Sequence, residues 1–572
     1  MDNNWNSQYV KQDNVSFNIL KHNKKIRVGI MLNNYGLEAW DQKILEAIIR
    51  SDYASIELVI LNKIRDDKLS FIDKILANRN KLFYIAYTKL ENQIIQCKPD
   101  AFTLIDVQNL LENIPGIEIQ PKRDKYSDYI DEKDVERIKE FNLDVIIRRG
   151  FRTLKGDILH AAKYGVWSYH HDDNTVVRGG PSGFWETFER MGERGVILQM
   201  ETEDLYNGIE LYRSSFPCDS FFVRRNNNYC FLRSSLFVPR TIKKLYYEGE
   251  NAFFSNIERG NKKLNFYDNM YYTTPTNFKF LKMIIEQTCR MSANYLHDHF
   301  FQKHWFLMYD LQDQISTSFW RFKKISPPRD RFWADPHVFF KDNIYYIFIE
   351  EYLYKKKKGH ISLIEMQQSG NYSDPVKVLE EPFHLSYPQV FDYNGILYMI
   401  PETHLAKSIN LYQCTNFPTE WTHRATLMDS VNAVDSTMLF HKNQWWLFTN
   451  ISEPEGTFIY NELFLFYSDN LLSHNWNSHP MNPVISDIKR ARSAGKIFER
   501  NGKLYRPSQS GNPRYGYGIK LNEIVVLTEN DYLEKEISFI EPKWDKKLIG
   551  VHTLCHENRL TMIDGYYNTF FA

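Results

Sequence analysis

Between Ala334 and Asp564 one short pattern is written five times. Each copy has a polar or charged residue at the head of a β-prone run, a tight polar turn, and a second β-prone run. The heads are Asp335, Tyr387, Asp435, Ser493 and His552, and the turns are Asp342-Asn343, Asn394-Gly395, Asn443-Gln444, Asn501-Gly502 and Glu557-Asn558. The copies recur roughly every 50 to 60 residues, the period of propeller blades rather than of helical repeats. A propeller brings the same edge of every blade to one central mouth, so the five heads are expected to converge there. The second runs close on Glu350-Glu351, Glu402, Asn450, Gln509 and Asp564. Arg490, Arg492 and Arg506 come from the fourth copy.

An Asp at a strand start also caps turns, but several acids converging on one mouth go beyond capping. Two carboxylates across a sugar-sized gap, with a third tuning a pKa, are the chemistry of glycoside hydrolysis. Asp335, Asp435 and Glu402 are therefore the candidate catalytic acids. Glu351, Arg492, Arg506, Gln509 and His552 are candidate substrate contacts, the arginines suited to a carboxylate or phosphate.

The first half reads differently. Ile26 to Leu32 is a strand, Leu37 to Arg50 a helix and Ile56 to Asn62 a strand, a βαβ opening, with Leu143 to Ile147 a further buried strand. Residues 65–140 are charged and helical in character. After Arg213 short strands are expected, then a helix near Pro239 to Tyr247. The expected division is a polar arm over 1–24, an α/β open sheet over 25–247, a helical connector over 248–304 and an all-β five-bladed propeller over 305–572.

Within the α/β half, Val166 to His170 forms a short strand followed by His171, Asp172, Asp173 and Asn174, then Arg178-Gly179-Gly180-Pro181 and a helix from Phe184 to Met191. A His at the carboxyl end of a strand in an open parallel sheet sits where such folds bind ligands. A second strand, Gly195 to Met200, leads into Glu201-Thr202-Glu203-Asp204-Leu205-Tyr206-Asn207-Gly208.

Composition narrows the classes. Lys plus Arg and Asp plus Glu both number 71, which removes a composition-level case for a nucleic-acid partner. The six cysteines show no CxxC or other metal-like spacing, so no metal is predicted, and scattered cysteines suit a reducing compartment. The polar start lacks a signal peptide's apolar core, and no run of about 18 apolar residues spans a membrane; a cytoplasmic location is expected. The 36 Tyr, 39 Phe and 12 Trp serve β-rich cores and, at the mouth, sugar stacking.

Residues 165–213 resemble the folate-dependent formyltransferase family, whose signature is an Asn-x-His strand end, an Arg-Gly pair and a Leu-Asp-x-Gly loop. His170 falls on the family's catalytic His, Ser168 on its Asn and Tyr206 on its Asp. The resemblance implies a formyltransferase-like fold over residues 25–220 and formyl or acyl transfer to an amino sugar, with 10-formyltetrahydrofolate as donor. His170 would then be the acid/base, Asp204 (or Asp172 or Asp173) would replace the lost carboxylate, and Ser168, Asn174 and Arg178 would contact substrate. Altered acyl chemistry and a relict binding domain stay open beside it.

The second half resembles five-bladed glycosidases of the arabinanase and xylosidase type, whose first-blade Asp is the general base. It is also similar to the N-terminal propeller of plant glucosamine inositolphosphorylceramide transferases, through Phe332-Trp333-Ala334-Asp335-Pro336-His337, Met399-Ile400-Pro401-Glu402-Thr403, Val434-Asp435-Ser436-Thr437, Tyr505-Arg506-Pro507-Ser508-Gln509 and Val551-His552-Thr553. In those proteins sugar transfer belongs to a separate C-terminal unit without a counterpart in this sequence, so the resemblance implies a carbohydrate-handling propeller.

The combined expectation is a carbohydrate-modifying transferase of glycan biosynthesis, acting on a sugar or nucleotide-sugar. In its first form the N-terminal half transfers an acyl group and the propeller holds the glycan. In the alternative the propeller is catalytic, as a glycoside hydrolase or in glycosyl transfer, and the N-terminal half is a scaffold. A non-enzymatic recognition module is the third. Oligomeric state is not given by the sequence.

Overall fold

The computed structural model describes residues 24–64, 76–124, 127–204, 208–261, 270–454 and 456–571. The polar arm up to residue 23 and Tyr206 lie outside the described residues.

The N-terminal half is built on a seven-stranded sheet of β1 (Ile26–Leu32), β2 (Ala54–Asn62), β3 (Gly116–Ile119), β4 (Val145–Arg148), β5 (Val166–His170), β6 (Glu193–Met200) and β7 (Ile209–Pro217), in the order β7-β6-β5-β4-β1-β2-β3. From β3 to β5 neighbours run parallel; β6 and β7 are antiparallel. The near-continuous apolar runs of β1 and β4 follow from burial on both faces of a parallel sheet. Helix α1 (Ala39–Ile49) covers the sheet with Trp40, Ile44, Leu45 and Ile48.

Two expectations change here. The stretch over 65–140 contains helix α2 (Leu82–Ile94) and the edge strand β3; a four-residue Gly-Ile-Glu-Ile run is too short to declare its period. The short strands expected after Arg213 are instead the end of β7 and helix α3 (Val223–Ser234), and the helix expected near Pro239 to Tyr247 is α4 (Phe237–Glu248). Tertiary hydrogen bonds hold the Asn-rich α3: Asn226 Nδ2 donates to Thr187 at 2.8 Å, and Asn228 Oδ1 accepts from the Ala101 amide at 2.7 Å. A 24-residue helix, α5 (Asn277–Phe300), then leads into the second half.

The second half is five antiparallel sheets arranged as propeller blades. Blades one to four begin at Arg331, Ser386, Ala433 and Phe498. Blade five joins Leu554–Glu557 and Leu560–Phe570 to Phe301–Leu311 and Lys323–Ile325, so the two ends of the propeller close the ring.

The halves meet through buried charge. Arg233 on α3 and Glu462 are both buried and lie 2.5 Å apart, and Arg240 Nη1 reaches the other Glu462 oxygen at 2.8 Å. Burial pushes Glu462 up, and the two arginines outweigh it and hold the carboxylate ionised. Ser214 and Ser486 hydroxyls meet at 2.6 Å, and Ser215 bridges to Asp487.

Candidate functional site

Three consecutive blades carry the same distortion. The pairing of first and second strands slips between Ala334 and His337, between Ser386 and Gln389, and between Val434 and Thr437. Inside each bulge Asp335, Tyr387 and Asp435 take left-handed φ values of 50°, 47° and 47°. Asp tolerates this region, but for Tyr it costs about 1–3 kcal/mol, and such strain clusters at functional sites. The bulge turns a side chain from the pleat toward the propeller axis.

The same register corrects one assignment. Ala334 pairs with Glu350, Ser386 with Glu402 and Val434 with Asn450, so Glu350 is the counterpart of Glu402 and faces the mouth. Glu351 points to the other side of its strand, where it accepts from His360 at 3.0 Å, Ser362 at 2.6 Å, Arg331 at 2.9 Å and the Trp333 indole at 3.2 Å. Burial pushes Glu351 up, but these donors outweigh it and hold the carboxyl at about 2. Arg506 is likewise spent inside its blade, with two guanidinium nitrogens on Glu534 at 2.8 and 2.9 Å. The structure does not bring Glu351 or Arg506 to the mouth.

It does bring together Asp335, Glu350, Glu402, Arg492 and His552, which line a cavity of about 280 Å³ with Trp305, Phe332, Tyr352, His384 and Tyr515. This is near the small end of ligand pockets. Asp435 adjoins it: Arg492 forks onto its carboxylate, Gln509 Nε2 donates to it at 3.2 Å, and its amide donates to Glu402 Oε2 at 3.4 Å. Thr553 Oγ1 donates to Asp335 Oδ1 at 2.7 Å, and the Tyr387 amide to Oδ2 at 3.3 Å. Asp564, wholly buried, accepts from the Asp335 and His552 amides at 3.0 Å each and from His552 Nδ1 at 2.6 Å. Trp305 stacks on His552 with ring centres 3.9 Å apart.

Five carboxyl groups thus gather around one arginine and two histidines, His552 and His384. Burial lifts Asp335 to about 6, with His552 opposing and Asp564 and Asp435 adding. Burial also lifts Asp435 to about 6, where Arg492 opposes and Glu402 adds. Glu350 is pushed well above the glutamate range by burial and by Asp335 and Glu402. Its near neighbour His384, 3.4 Å away, is lowered by burial to about 4 and supplies no charge. Burial opposes a proton on His552, but Asp564 and Asp335 outweigh it and raise the imidazole. The site therefore holds carboxyls that keep protons near neutrality beside others able to accept them, the requirement for paired acid and base.

Among the described residues, Asp335, His552 and Asp564 also offer three possible metal-ligand atoms within 4.8 Å of one another. His552 Nδ1 lies 2.6 Å from Asp564 Oδ2, so one imidazole nitrogen is already paired within the trio.

The strand end at His170 is assembled otherwise. His170 Nε2 lies 3.3 Å from Asn174 Oδ1, an amide rather than a carboxylate. His171 turns inward, stacks on Phe231 with centres 3.9 Å apart and meets Trp40 edge-on. Asp173 is ion-paired with Arg213, and Asp172 lies 3.9 Å from the buried Arg194. Ser168 is buried, and its hydroxyl has no hydrogen-bond partner. Asp204 is exposed and Arg178 half-buried. Asp172 and Asp173, two of the carboxylates that were to replace the one lost at Tyr206, thus lie beside arginines, and the Ser168 hydroxyl is buried. These residues do not fit formyl transfer from 10-formyltetrahydrofolate. A larger cavity of about 580 Å³ opens between the halves. Its cations Arg213, Lys489 and Arg490 are all ion-paired, with Asp173 and Glu210, with Glu193, and with Asp487.

The sequence marks Glu350 and Asp564 as strand closers but does not assign them to the site, and Trp305 and Tyr515 at the mouth are not singled out by it at all. Glu350 was legible from spacing: it stands six residues after Ile344, as Glu402 stands six after Ile396. Trp305 and Tyr515 carried no such signal, since they come from the closing strand and a loop.

Residues 323–552 match the family model described as glucosamine inositolphosphorylceramide transferase 1, N-terminal. The protein of that name from Oryza sativa subsp. japonica is 33% identical over 210 residues, covering 36% of this chain and 28% of the relative. The one from Arabidopsis thaliana is 32% identical over 211 residues, covering 36% and 27%. The chain thus spans little more than a quarter of these relatives' length. Among solved structures, a GH43_1 enzyme from Xanthomonas citri complexed with xylose aligns over 43% of this chain and 89% of its own, with 11% identity and a TM-score of 0.33. Glycinamide ribonucleotide transformylase 1 from Geobacillus kaustophilus aligns over 39% and 100%, with 15% identity and a TM-score of 0.27.

Proposed function

We propose that the propeller mouth is the catalytic unit and that it transfers a glycosyl group, with the N-terminal half as its scaffold. The observation that carries this is Asp335 and Asp435 on matching left-handed bulges, both held at about 6, beside a Glu350 that keeps its proton. The similarity to relatives named as transferases of an amino sugar and an inositolphosphorylceramide supports the substrate class. Trp305, Phe332, Tyr352 and Tyr515 supply aromatic faces for a sugar ring.

In this reading Glu350 gives its proton to the oxygen leaving the anomeric carbon as that C–O bond breaks. An acceptor hydroxyl, or water, forms the new C–O bond and loses its proton to Asp335. The proton then returns to Glu350 through solvent. Arg492 and Glu402 hold Asp435, and His552, with Nε2 3.7 Å from Asp335 Oδ1, flanks Asp335 within the mouth. Thr553 and the Tyr387 amide aim the Asp335 carboxylate, which requires the left-handed bulge.

The test is to incubate the full chain with aryl glycosides and with nucleotide-sugars plus alcohol acceptors, following released or transferred sugar by mass spectrometry. Turnover that falls at least ~100-fold in Asp335→Asn is expected. No turnover on any amino-sugar or neutral-sugar donor, or an undiminished rate in the variant, overturns the reading.

A further inference from the structure

The long helix α5 is poorly covered by the fold it belongs to. Phe280 and Gln287 are its buried residues; Phe280 packs near Tyr84, Tyr87 and Phe184, and Gln287 Nε2 donates to the Ser220 and Phe221 carbonyls. On another face, Phe278, Leu281, Ile285, Leu296 and Phe300 fall on one line, with Cys289 and Ser292 completing its steps of three and four. These five apolar residues are 83, 46, 55, 55 and 53% exposed. From Met291 to Phe300 every residue is exposed. The neighbouring helix α2 adds Phe83, Leu90 and Ile94, exposed by 51, 55 and 65%. Contiguous apolar surface of this kind marks an interaction site.

Two observations say what covers it. The first is position. Helix α5 runs straight into the closing strand of the propeller, where Phe301 pairs with Phe570 and Trp305 with Tyr566. Trp305 lines the mouth cavity. At the helix end of this ribbon, Phe570 and Phe571 are 70 and 53% exposed, and the Phe571 amide donates to Phe300. One apolar surface therefore extends from α5 to the strand that enters the site. The second is charge. Arg79, Lys81, Lys89, Lys279, Lys282 and Arg290 stand on or next to α2 and α5, against Glu286, Asp298 and the buried Glu91. A chain of zero net charge thus carries a local excess of cations around its exposed apolar stripe, the pattern of helices that lie in an anionic lipid interface.

We infer that α2, α5 and the Phe570–Phe571 end dock the protein on an anionic bilayer, and that the glycosyl substrate of the mouth is lipid-linked. The bilayer holds the apolar part of such a substrate against α5, and its polar head reaches the cavity beside Trp305. The substrate-class half of this inference rests on the mouth being the glycosyl site, whereas the docking half does not.

Flotation of the full chain with phosphatidylcholine vesicles containing roughly 30 mol % phosphatidylserine tests the docking. The expected result is co-flotation that weakens with salt and falls at least ~10-fold in Leu281→Glu/Ile285→Glu/Leu296→Glu, whose changes sit at exposed positions and spare the core. That triple variant should keep its rate on a soluble glycoside and lose it on the same sugar linked to a lipid. Wild-type protein that stays unbound, or a triple variant that floats equally well, overturns the docking. Sedimentation showing a dimer that the triple variant dissociates, without flotation, assigns the face to a second copy and also overturns it. Flotation without turnover on any glycoside sinks the reading of the mouth and the lipid-linked substrate while the docking stands.

Discussion

The propeller mouth and the strand end at His170 hold similar inventories of Asp, His and Arg, arranged on opposite principles. At His170 the acids are matched locally: Asp173 has Arg213, Asp172 lies beside Arg194, and Glu201 has Arg148. His171 is consumed by packing on Phe231. At the mouth, acids from several blades outnumber the cations, and carboxyls keep protons they would ordinarily lose. A matched site is stable and chemically quiet; an unmatched one stores the acid and base that proton transfer needs. A dense cluster in sequence thus became a set of matched pairs, while residues about 50 apart became the unmatched mouth.

The largest expected effect tests that contrast directly. Glu350→Gln removes the proton donor with little change of shape and should lower turnover by roughly 10²–10⁴-fold. His170→Ala should change the same rate by less than about twofold. Equal losses in both variants would return the chemistry to the N-terminal half and break the comparison. Next is the bond between the halves. Arg233→Met leaves Glu462 buried with only Arg240 beside it, and should cost about 3–5 kcal/mol in denaturant unfolding. If the halves unfold independently and the propeller transition does not move, the N-terminal half is not its scaffold.

The propeller was legible because its repeats are long, β-prone and punctuated by turns, so spacing alone aligned Asp335 with Tyr387 and Asp435. The left-handed bulges were not legible, and they decide which side chains face inward. Reading Glu351 for Glu350 was an error of one residue, and in a strand one residue is the opposite face. Arg506 stood in a plausible motif and was claimed by Glu534, a partner 28 residues away on the outermost strand of its blade. In the first half, the βαβ opening and the His170 strand end were readable from apolar runs. Helix α3 was not, because Asn226 and Asn228 satisfy partners distant in sequence that outweigh a weak local preference.

The smallest effect is one of sign, and it separates the two sites without an assay of turnover. Asp335 and Asp435 have folded values raised from the ordinary aspartate range to about 6, so the folded state binds their protons more tightly than the unfolded chain does. Their contribution to stability is fully present below about pH 4 and is lost as pH rises through about 6. Raised His552 adds with the same sign. Asp173 is the reverse: burial raises it, but Arg213 outweighs burial and holds it below its ordinary value. Its contribution is present above about pH 4 and lost as pH falls through its lowered folded value. Asp335→Asn should therefore raise the melting temperature at pH 8 by a few degrees, corresponding to at most about 3 kcal/mol, with no gain at pH 4. Asp173→Asn should lower it at pH 7, with the difference shrinking toward pH 3. Melting curves from pH 3 to 8 that shift in the same direction for both variants would mean the two sites are balanced alike, and that the mouth is not held in the charge state its chemistry requires.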